Sequence, residues 1–265
     1  MTRARAAWAP RLLAGLVGVM GVMGVMGVVS AGTALGAEPR RSGFDDMSPG
    51  TQALQRDDTQ NPAMLWVQDG EQRFNADCKR CHEPGNPAQS LRGAAARHPA
   101  WDAQSSRPLT LAGRINQCRV RHVKAPALPL EGEGLLALEA YVALQSRGQP
   151  IAPDATPALR PYVAQGERLF KQRVGQLDFS CAQCHDDNAG RRLAGALIPQ
   201  AHPNGYPIYR LEWQGLGSLQ RRLRNCMSGV RAEPYAYGSE EFTMIELYLK
   251  QRAAGMVVES PAVRP

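Results

Sequence analysis

Charge is absent from one long stretch near the amino terminus. Residues 12–37 contain no charged side chain, and three arginines precede them: Arg3, Arg5 and Arg11. The stretch ends in small residues, with Ala37 as the last of them. This order of basic, apolar and small residues is typical of a secretory signal peptide cleaved near Ala37. Because the apolar stretch is long enough to span a membrane, an uncleaved anchor is the alternative.

A large excess of charge is also missing. The formal charge of +7 falls to +4 when residues 1–37 leave with their three arginines, because that segment holds no acid. So small an excess in an exported chain argues against nucleic-acid binding. The length of 265 residues favours two domains over one.

Cysteine and histidine are scarce, with six and five residues, yet they are concentrated. Two Cys-x-x-Cys-His motifs use four of the cysteines and two of the histidines: Cys78, Cys81 and His82, then Cys181, Cys184 and His185. In this motif each thiol bonds one vinyl group of a haem, and the histidine is an axial ligand of iron. A zinc site or a disulfide framework is the alternative, but neither explains a histidine after both pairs. The motifs predict two covalently bound haem c groups.

The predicted haem motifs and the predicted export signal indicate the same compartment. In bacteria, haem is attached to this motif on the outer side of the inner membrane. The two features therefore predict a periplasmic protein, exported by a cleaved signal peptide.

The two halves of the chain share a pattern. Gly-Glu-x-x-Phe begins at Gly70 and Gly166, ahead of each haem motif, and Arg-x-x-x-Cys ends at Cys118 and Cys226, beyond each motif. A Glu-x-Tyr pair follows in each half, inside apolar spacing that predicts a helix. The predicted fold is therefore all-α, with two tandem class I-like cytochrome c domains related by internal duplication.

Composition divides the chain further. Residues 38–61 are polar with few apolar anchors. In a second segment, prolines at 150, 153, 157 and 161 prevent a continuous helix. We predict a signal peptide over 1–37, an irregular arm over 38–61, domain 1 over 62–149, a linker over 150–161 and domain 2 over 162–265.

Two cysteines remain outside the motifs. The repeat places Cys118 and Cys226 where a small cytochrome c domain supplies its second axial ligand, and a thiolate there would lower the reduction potential. A disulfide between them is one alternative. Met227 and His122 are rival ligands. Three further methionines and two further histidines are predicted to be structural: Met64, Met244, Met256, His98 and His202.

Arginines gather around Cys226. Arg222 lies four residues earlier and would share its helix face. Five others are near in sequence: Arg191, Arg192, Arg221, Arg224 and Arg231. They are either solvated surface charge, with haem propionates as partners, or an anion site beside a reactive sulfur.

The second half resembles the SoxA family, the haem subunit of the SoxAX cytochrome of sulfur oxidation. The resemblance lies in residues 192–195, 198–207, 209–214, 217–219, 221–226, 230–234 and 238–241, and in 61–67 of the first half. It implies a periplasmic L-cysteine S-thiosulfotransferase, which joins thiosulfate to a cysteine of the carrier SoxYZ while electrons leave through haem. It also implies a heterodimer with a SoxX-type monohaem cytochrome c.

The same resemblance implies roles for single residues. Cys226 would be both the axial ligand of haem 2 and the sulfur that forms a persulfide intermediate, and Arg222 would bind the substrate anion. His185 is the other ligand of haem 2, while His82 and Cys118 would bind the iron of haem 1. Two further functions stay open: a pure dihaem electron carrier, and a thiosulfate dehydrogenase that forms tetrathionate.

Overall fold

A computed structural model describes residues 39–82, 90–193 and 195–265 of the chain. The predicted signal peptide lies outside these residues. Residues 39–265 group into one compact unit. No helix among the described residues is both long and apolar enough to cross a membrane.

Helices are the main secondary structure, as the apolar spacing predicts. In chain order they are α1 (Pro49–Arg56), α2 (Ala63–Asp77), α3 (Ala94–Arg97), α4 (Leu111–Cys118), α5 (Glu133–Leu144), α6 (Arg160–Lys171), α7 (Cys181–His185), α8 (Leu219–Gly229) and α9 (Glu240–Arg252). Short 3₁₀ turns cover Lys79–Cys81 and Pro157–Leu159, and a π-helical turn covers Arg119–Val123.

Two helix pairs, α2 with α5 and α6 with α9, have the same close crossing. A Cβ atom added to Gly70 of α2 would lie 2.0 Å from the Ala137 carbonyl oxygen of α5. A Cβ atom added to Gly166 of α6 would lie 2.0 Å from the Met244 carbonyl oxygen of α9. Only glycine allows backbones this close. The repeated Gly-Glu-x-x-Phe segment therefore marks a helix crossing in each half.

An aromatic contact follows each crossing. The rings of Phe74 and Tyr141 are 5.1 Å apart, and those of Phe170 and Tyr248 are 5.3 Å apart. Phe170 is fully buried and Phe74 nearly so. These are favourable distances for tilted rings, so one Phe and one Tyr hold each helix pair together beyond the glycine.

The all-α prediction is corrected by short strands among the described residues. They are β1 (Ala100–Asp102), β2 (Arg107–Leu109), β3 (Arg192–Leu193), β4 (Ala196–Leu197), β5 (Ile208–Arg210), β6 (Gly215–Gly217) and β7 (Ala262–Arg264). β1–β2, β3–β4 and β5–β6 are antiparallel pairs, and β7 pairs with β5 in parallel. Strands of two or three residues are too short to show alternating hydrophobicity.

A hairpin and a capping residue precede the helix of each remaining cysteine. β1–β2 leads to Thr110, whose side chain accepts the Gly113 N–H at the start of α4. β5–β6 leads to Ser218, whose side chain accepts the Arg221 N–H at the start of α8. Such caps fix where a helix begins, so both helices deliver a cysteine eight residues after the cap.

The predicted irregular arm and linker are both more ordered than expected. Residues 38–61 contain α1, which starts with Ser48 as cap and Pro49 in the first turn, a strong start signal that the polar composition obscured. Ile151 of the predicted linker is buried, and its N–H donates to the Met256 carbonyl. Residues 151–156 form no helix or strand, but a 3₁₀ turn covers Pro157–Leu159 and α6 begins at Arg160, so the last part of the predicted linker is helical.

Candidate haem and anion site

The second haem motif forms a short capped helix. The Ser180 side chain accepts the Gln183 N–H, and the Gln183 side chain accepts the Ser180 N–H. This reciprocal capping box starts α7 at Cys181. The His185 Nδ1 lies 2.6 Å from the Pro199 carbonyl oxygen, to which it donates as Nδ1–H. The other ring nitrogen, Nε2, is then left to bind a metal, as expected for an axial histidine.

His185 and Cys226 line one cavity of about 850 Å³. Apolar side chains make much of its wall: Leu197, Ile208, Leu219, Leu223 and Leu249. The thiols of Cys181 and Cys184 are close enough to Cys226 for a thiolate there to raise their pKa. Burial is the larger cause and raises the pKa of Cys181 to about 11. The structure therefore brings together all four predicted haem residues of the second half.

Arg222 lies one helical turn before Cys226 and lines the same cavity. Its side chain makes no hydrogen bond or ion pair with the described residues. Both residues are half-buried. A guanidinium group with five unused donors beside a thiol is suited to hold an oxyanion.

The first haem motif has a different local structure. Cys78 is the C-cap residue directly after α2, and Cys81 lies in the 3₁₀ turn that follows. The ring of His82 lies 5.8 Å from that of Phe74. Burial raises the pKa of both Cys78 and Cys118, and each is close enough to the motif's other thiols to be affected by their charge. The first half thus also brings its cysteines together.

Arg114 occupies the place in the first half that Arg222 has in the second. It lies one turn before Cys118, and its Nη1 is 3.1 Å from Asp102 Oδ1. It also donates to the Gln117 side chain. Asp102 is held by Ser105, whose hydroxyl and N–H bonds are the main cause of its lowered pKa. The charge of Arg114 is therefore neutralised within the protein.

The alternatives from the sequence find little support. All six cysteines are free, so Cys118 and Cys226 form no disulfide. Met227 packs in the core around Phe170, and Met64 and Met256 pack in other cores. His202 Nδ1 bonds the Arg41 carbonyl. Among the described residues, no group of three or more His, Cys, Asp or Glu side chains is arranged to hold a metal ion without haem.

The other arginines near Cys226 have different surroundings. Arg191 and Arg192 are exposed and bond Asn188 and the Gly195 carbonyl. Arg221 stacks over the Trp213 ring, with 4.4 Å from its guanidinium carbon to the ring centre. Arg224 donates to the Tyr235 carbonyl, and no hydrogen bond or ion pair of the Arg231 side chain occurs within the described residues.

Comparison with known proteins identifies the family. The cytochrome c domain of the SoxA/TsdA family matches residues 63–151 and 165–258. The chain belongs to this family. Its cytochrome c domain implies covalently bound haem c, and the cavity beside His185 and Cys226 fits such a group because it joins an apolar wall to two side chains of types that can ligate iron.

Individual relatives agree with the family. The L-cysteine S-thiosulfotransferase subunit SoxA of Pseudaminobacter salicylatoxidans is 35% identical over 81% of this chain and 77% of its own. The protein of the same name from Paracoccus pantotrophus is 31% identical, over 84% of this chain and 78% of its own. A chain in the crystal structure of SoxXA from P. pantotrophus superposes with a TM-score of 0.80 at 31% identity, covering 85% of this chain and 87% of that one.

Sequence reasoning missed two parts of the site. It gave no role to the Pro199 carbonyl, which orients His185, or to Arg210, which lines the cavity. A backbone carbonyl leaves no signal in a sequence. Aligning the two halves on Arg-x-x-x-Cys places Arg210 opposite Asp102, so an arginine opposite an acid could have drawn attention to this position.

Proposed function

We propose that this chain is the dihaem cytochrome c subunit that catalyses the oxidative conjugation of thiosulfate to a cysteine of the carrier SoxYZ. The observation that carries the proposal is the unpaired Arg222 guanidinium beside Cys226 in the cavity of His185. An electron carrier needs no such anion site. The names of the relatives support the same activity.

The proposed cofactors are two haem c groups. Cys78 and Cys81 would attach the first, with His82 and Cys118 as iron ligands. The second would be attached by Cys181 and Cys184, with His185 and Cys226 as iron ligands. When bound, haem supplies an acceptor for the electrons that sulfur oxidation releases.

The residues of the cavity divide the reaction between them. Arg222 binds the thiosulfate oxygens and holds its terminal sulfur near the Cys226 thiolate. One sulfur–sulfur bond then forms between the Cys226 sulfur and the terminal sulfur of thiosulfate, with the loss of two electrons that bound haem would accept. The carrier thiolate next attacks the thiosulfate-derived sulfur attached to Cys226, so its cysteine receives the whole thiosulfate group and the Cys226 thiolate returns.

The remaining assignments belong to the same proposal. The partner is a SoxX-type cytochrome c, in line with the SoxXA structure that this chain resembles, and the location is the periplasm after removal of residues 1–37. Two domains, 62–149 and 162–265, arose by duplication. This duplication is supported by the matched crossings at Gly70 and Gly166 and by the two segments that match the cytochrome c domain.

The test is the intact mass of reduced SoxYZ after incubation with thiosulfate, an electron acceptor and the holoprotein with its partner cytochrome. We expect a thiosulfate adduct on the carrier, and none with Cys226→Ala protein that retains its haem. Adduct formation that survives this substitution would contradict the proposed role of Cys226. Reducible haem without any adduct would instead indicate an electron carrier, and accumulated tetrathionate would indicate the dehydrogenase.

A further inference from the structure

A second arginine faces the cavity of Cys226. Arg210, the last residue of β5, lines it together with Arg222. Its side chain is only 13% exposed, and its Nε lies 3.0 Å from the carboxylate of the exposed residue Glu212. That Nε is buried without an aligned hydrogen bond. The guanidinium group stacks 5.2 Å from the Trp213 ring centre, which fixes its position and leaves its terminal nitrogens without a hydrogen-bond partner among the described residues.

The other basic side chains of this cavity are already neutralised or exposed. Arg41 pairs with Asp46, and Arg264 pairs with Glu259. Arg192 is exposed and turned to the Gly195 carbonyl. Arg222 therefore has no acid partner among the described residues, and Arg210, whose Nε pairs with the exposed Glu212, keeps both terminal nitrogens without a partner there.

The two guanidinium groups affect each other. Burial is the main cause of the lowered pKa of Arg210, and the nearby charge of Arg222 is the next. Holding two like charges in a partly buried cavity is unfavourable unless an anion comes between them. Such an arrangement is typical of a site that is completed by its ligand.

The first half has a different residue at the position that corresponds to Arg210. Asp102 is the last residue of β1 and lies eight residues before the cap Thr110, just as Arg210 lies eight before the cap Ser218. Asp102 pairs with Arg114, the counterpart of Arg222. An acid that neutralises an arginine in the first half is thus replaced by a second arginine in the second half.

We propose that Arg210 is a second substrate-binding residue, which with Arg222 forms a subsite selective for divalent oxyanions such as thiosulfate. This inference rests on the proposed function. Each guanidinium group can offer two parallel N–H donors to anionic oxygens. Two such groups match the double negative charge of thiosulfate and favour it over monovalent anions.

The test is calorimetric titration of the oxidised holoprotein, in complex with its partner, with thiosulfate and no carrier. Arg210→Gln removes the charge, Arg210→Lys keeps it without the planar fork, and Arg191→Gln is the control because it removes an exposed arginine outside the cavity lining. We expect Arg210→Gln to weaken thiosulfate binding about tenfold, and more than it weakens binding of nitrate. Arg210→Lys should be intermediate, and Arg191→Gln should match the wild type.

The absorption spectrum and haem reduction potentials of the same samples separate this role from a structural one. Unchanged thiosulfate affinity in Arg210→Gln would overturn the inference, and a shifted potential alongside it would assign Arg210 to a haem propionate instead. Loss of affinity with unchanged spectrum and potential supports the subsite. If the wild type binds thiosulfate through Arg210 but never modifies SoxYZ, the subsite stands and the proposed transferase activity fails.

Discussion

The two halves of this chain build one scaffold and use it differently. Both place a cysteine eight residues beyond a capped helix start and an arginine one turn before it. In the first half the arginine, Arg114, is bound by Asp102 and Gln117. In the second half the Arg222 side chain has no partner among the residues that the structure describes, and Arg210 stands where the acid would be. We infer that reversing one charge on this repeated framework turns a closed contact between side chains into an anion site.

The two haem motifs also differ, and the second is held by more hydrogen bonds. The second begins with a reciprocal capping box and has its histidine fixed by the Pro199 carbonyl. The first continues from α2 through a 3₁₀ turn without a side-chain cap. A site that must hold a substrate against a reacting sulfur gains from rigid support, whereas a site that only relays electrons needs less. We therefore expect substitutions of the motif cysteines, the ligand cysteines and their neighbouring arginines to affect chemistry in the second half and stability in the first.

The largest expected difference is between the two ligand cysteines. Cys226→Ala should abolish thiosulfate transfer because it removes the proposed reacting sulfur, whereas Cys118→Ala should retain it. The measurement is the rate of carrier adduct formation by mass spectrometry, with haem content of each variant as control. Equal loss of transfer in both variants would show that the first site takes part in catalysis.

The next effect should be equal in the two halves. Gly70→Ala and Gly166→Ala would each place a Cβ atom 2.0 Å from a carbonyl oxygen of the facing helix, so the helices must separate. We expect each change to lower the free energy of unfolding by about 3 kcal/mol. Denaturant titration of the holoprotein measures this.

Gly50→Ala is the control for the glycine pair. A Cβ atom at Gly50 would meet only Ser48, at 4.0 Å, and alanine is the better helix former. Its stability should equal or slightly exceed the wild type. If only one of Gly70→Ala and Gly166→Ala destabilises the protein, the two crossings are not equivalent.

Local patterns predicted the repeated helices and singled out the cysteines and histidines of the two motifs, but they did not predict α1. The apolar spacing around the two Glu-x-Tyr pairs predicts a helix in each half, and the structure has them as α5 and α9. Short strands and the packing of Ile151 could not be predicted, because they depend on partners far away in the chain. The pairing state of Arg222 also could not be predicted, since it depends on whether an acid comes near in space.

A smaller difference in stability is expected between substitutions of Asp102 and of its counterpart Arg210. Asp102 is buried and accepts hydrogen bonds from Ser105 and Gln117 as well as Arg114. Asp102→Asn should lower the free energy of unfolding by about 2 kcal/mol, because it leaves the half-buried guanidinium groups of Arg114 and Arg121 without their acid. Arg210→Gln should be nearly neutral, because the loss of its ion pair with the exposed Glu212 is offset by the removal of repulsion from Arg222. Thermal unfolding of both variants measures the contrast, and equal destabilisation would contradict it.

The smallest effect concerns a pair of buried acids at matched positions. Glu139 of α5 accepts a hydrogen bond from the Ala112 N–H of α4, and Glu246 of α9 accepts one from the Gln220 side chain of α8, at 2.6 Å. Burial raises the pKa of Glu139 to about 8 and that of Glu246 to about 7. A carboxyl group with a raised pKa in the folded state stabilises the fold below its ordinary pKa of 4.5 and loses this contribution as pH rises to 7 or 8.

Glutamine at either position should therefore flatten the pH dependence of stability. Glu139→Gln and Glu246→Gln keep a hydrogen-bond acceptor and cannot ionise. The free energy of unfolding of each should therefore exceed that of the wild type by about 1 kcal/mol at pH 8 and match it near pH 4.5. Lys250, whose pKa burial lowers to about 8, acts in the opposite direction only above that pH. Glu167→Gln, at an exposed position, is the control. A wild-type melting temperature that rises from pH 5 to 8 in step with both glutamine variants would show that these acids are already ionised in the fold.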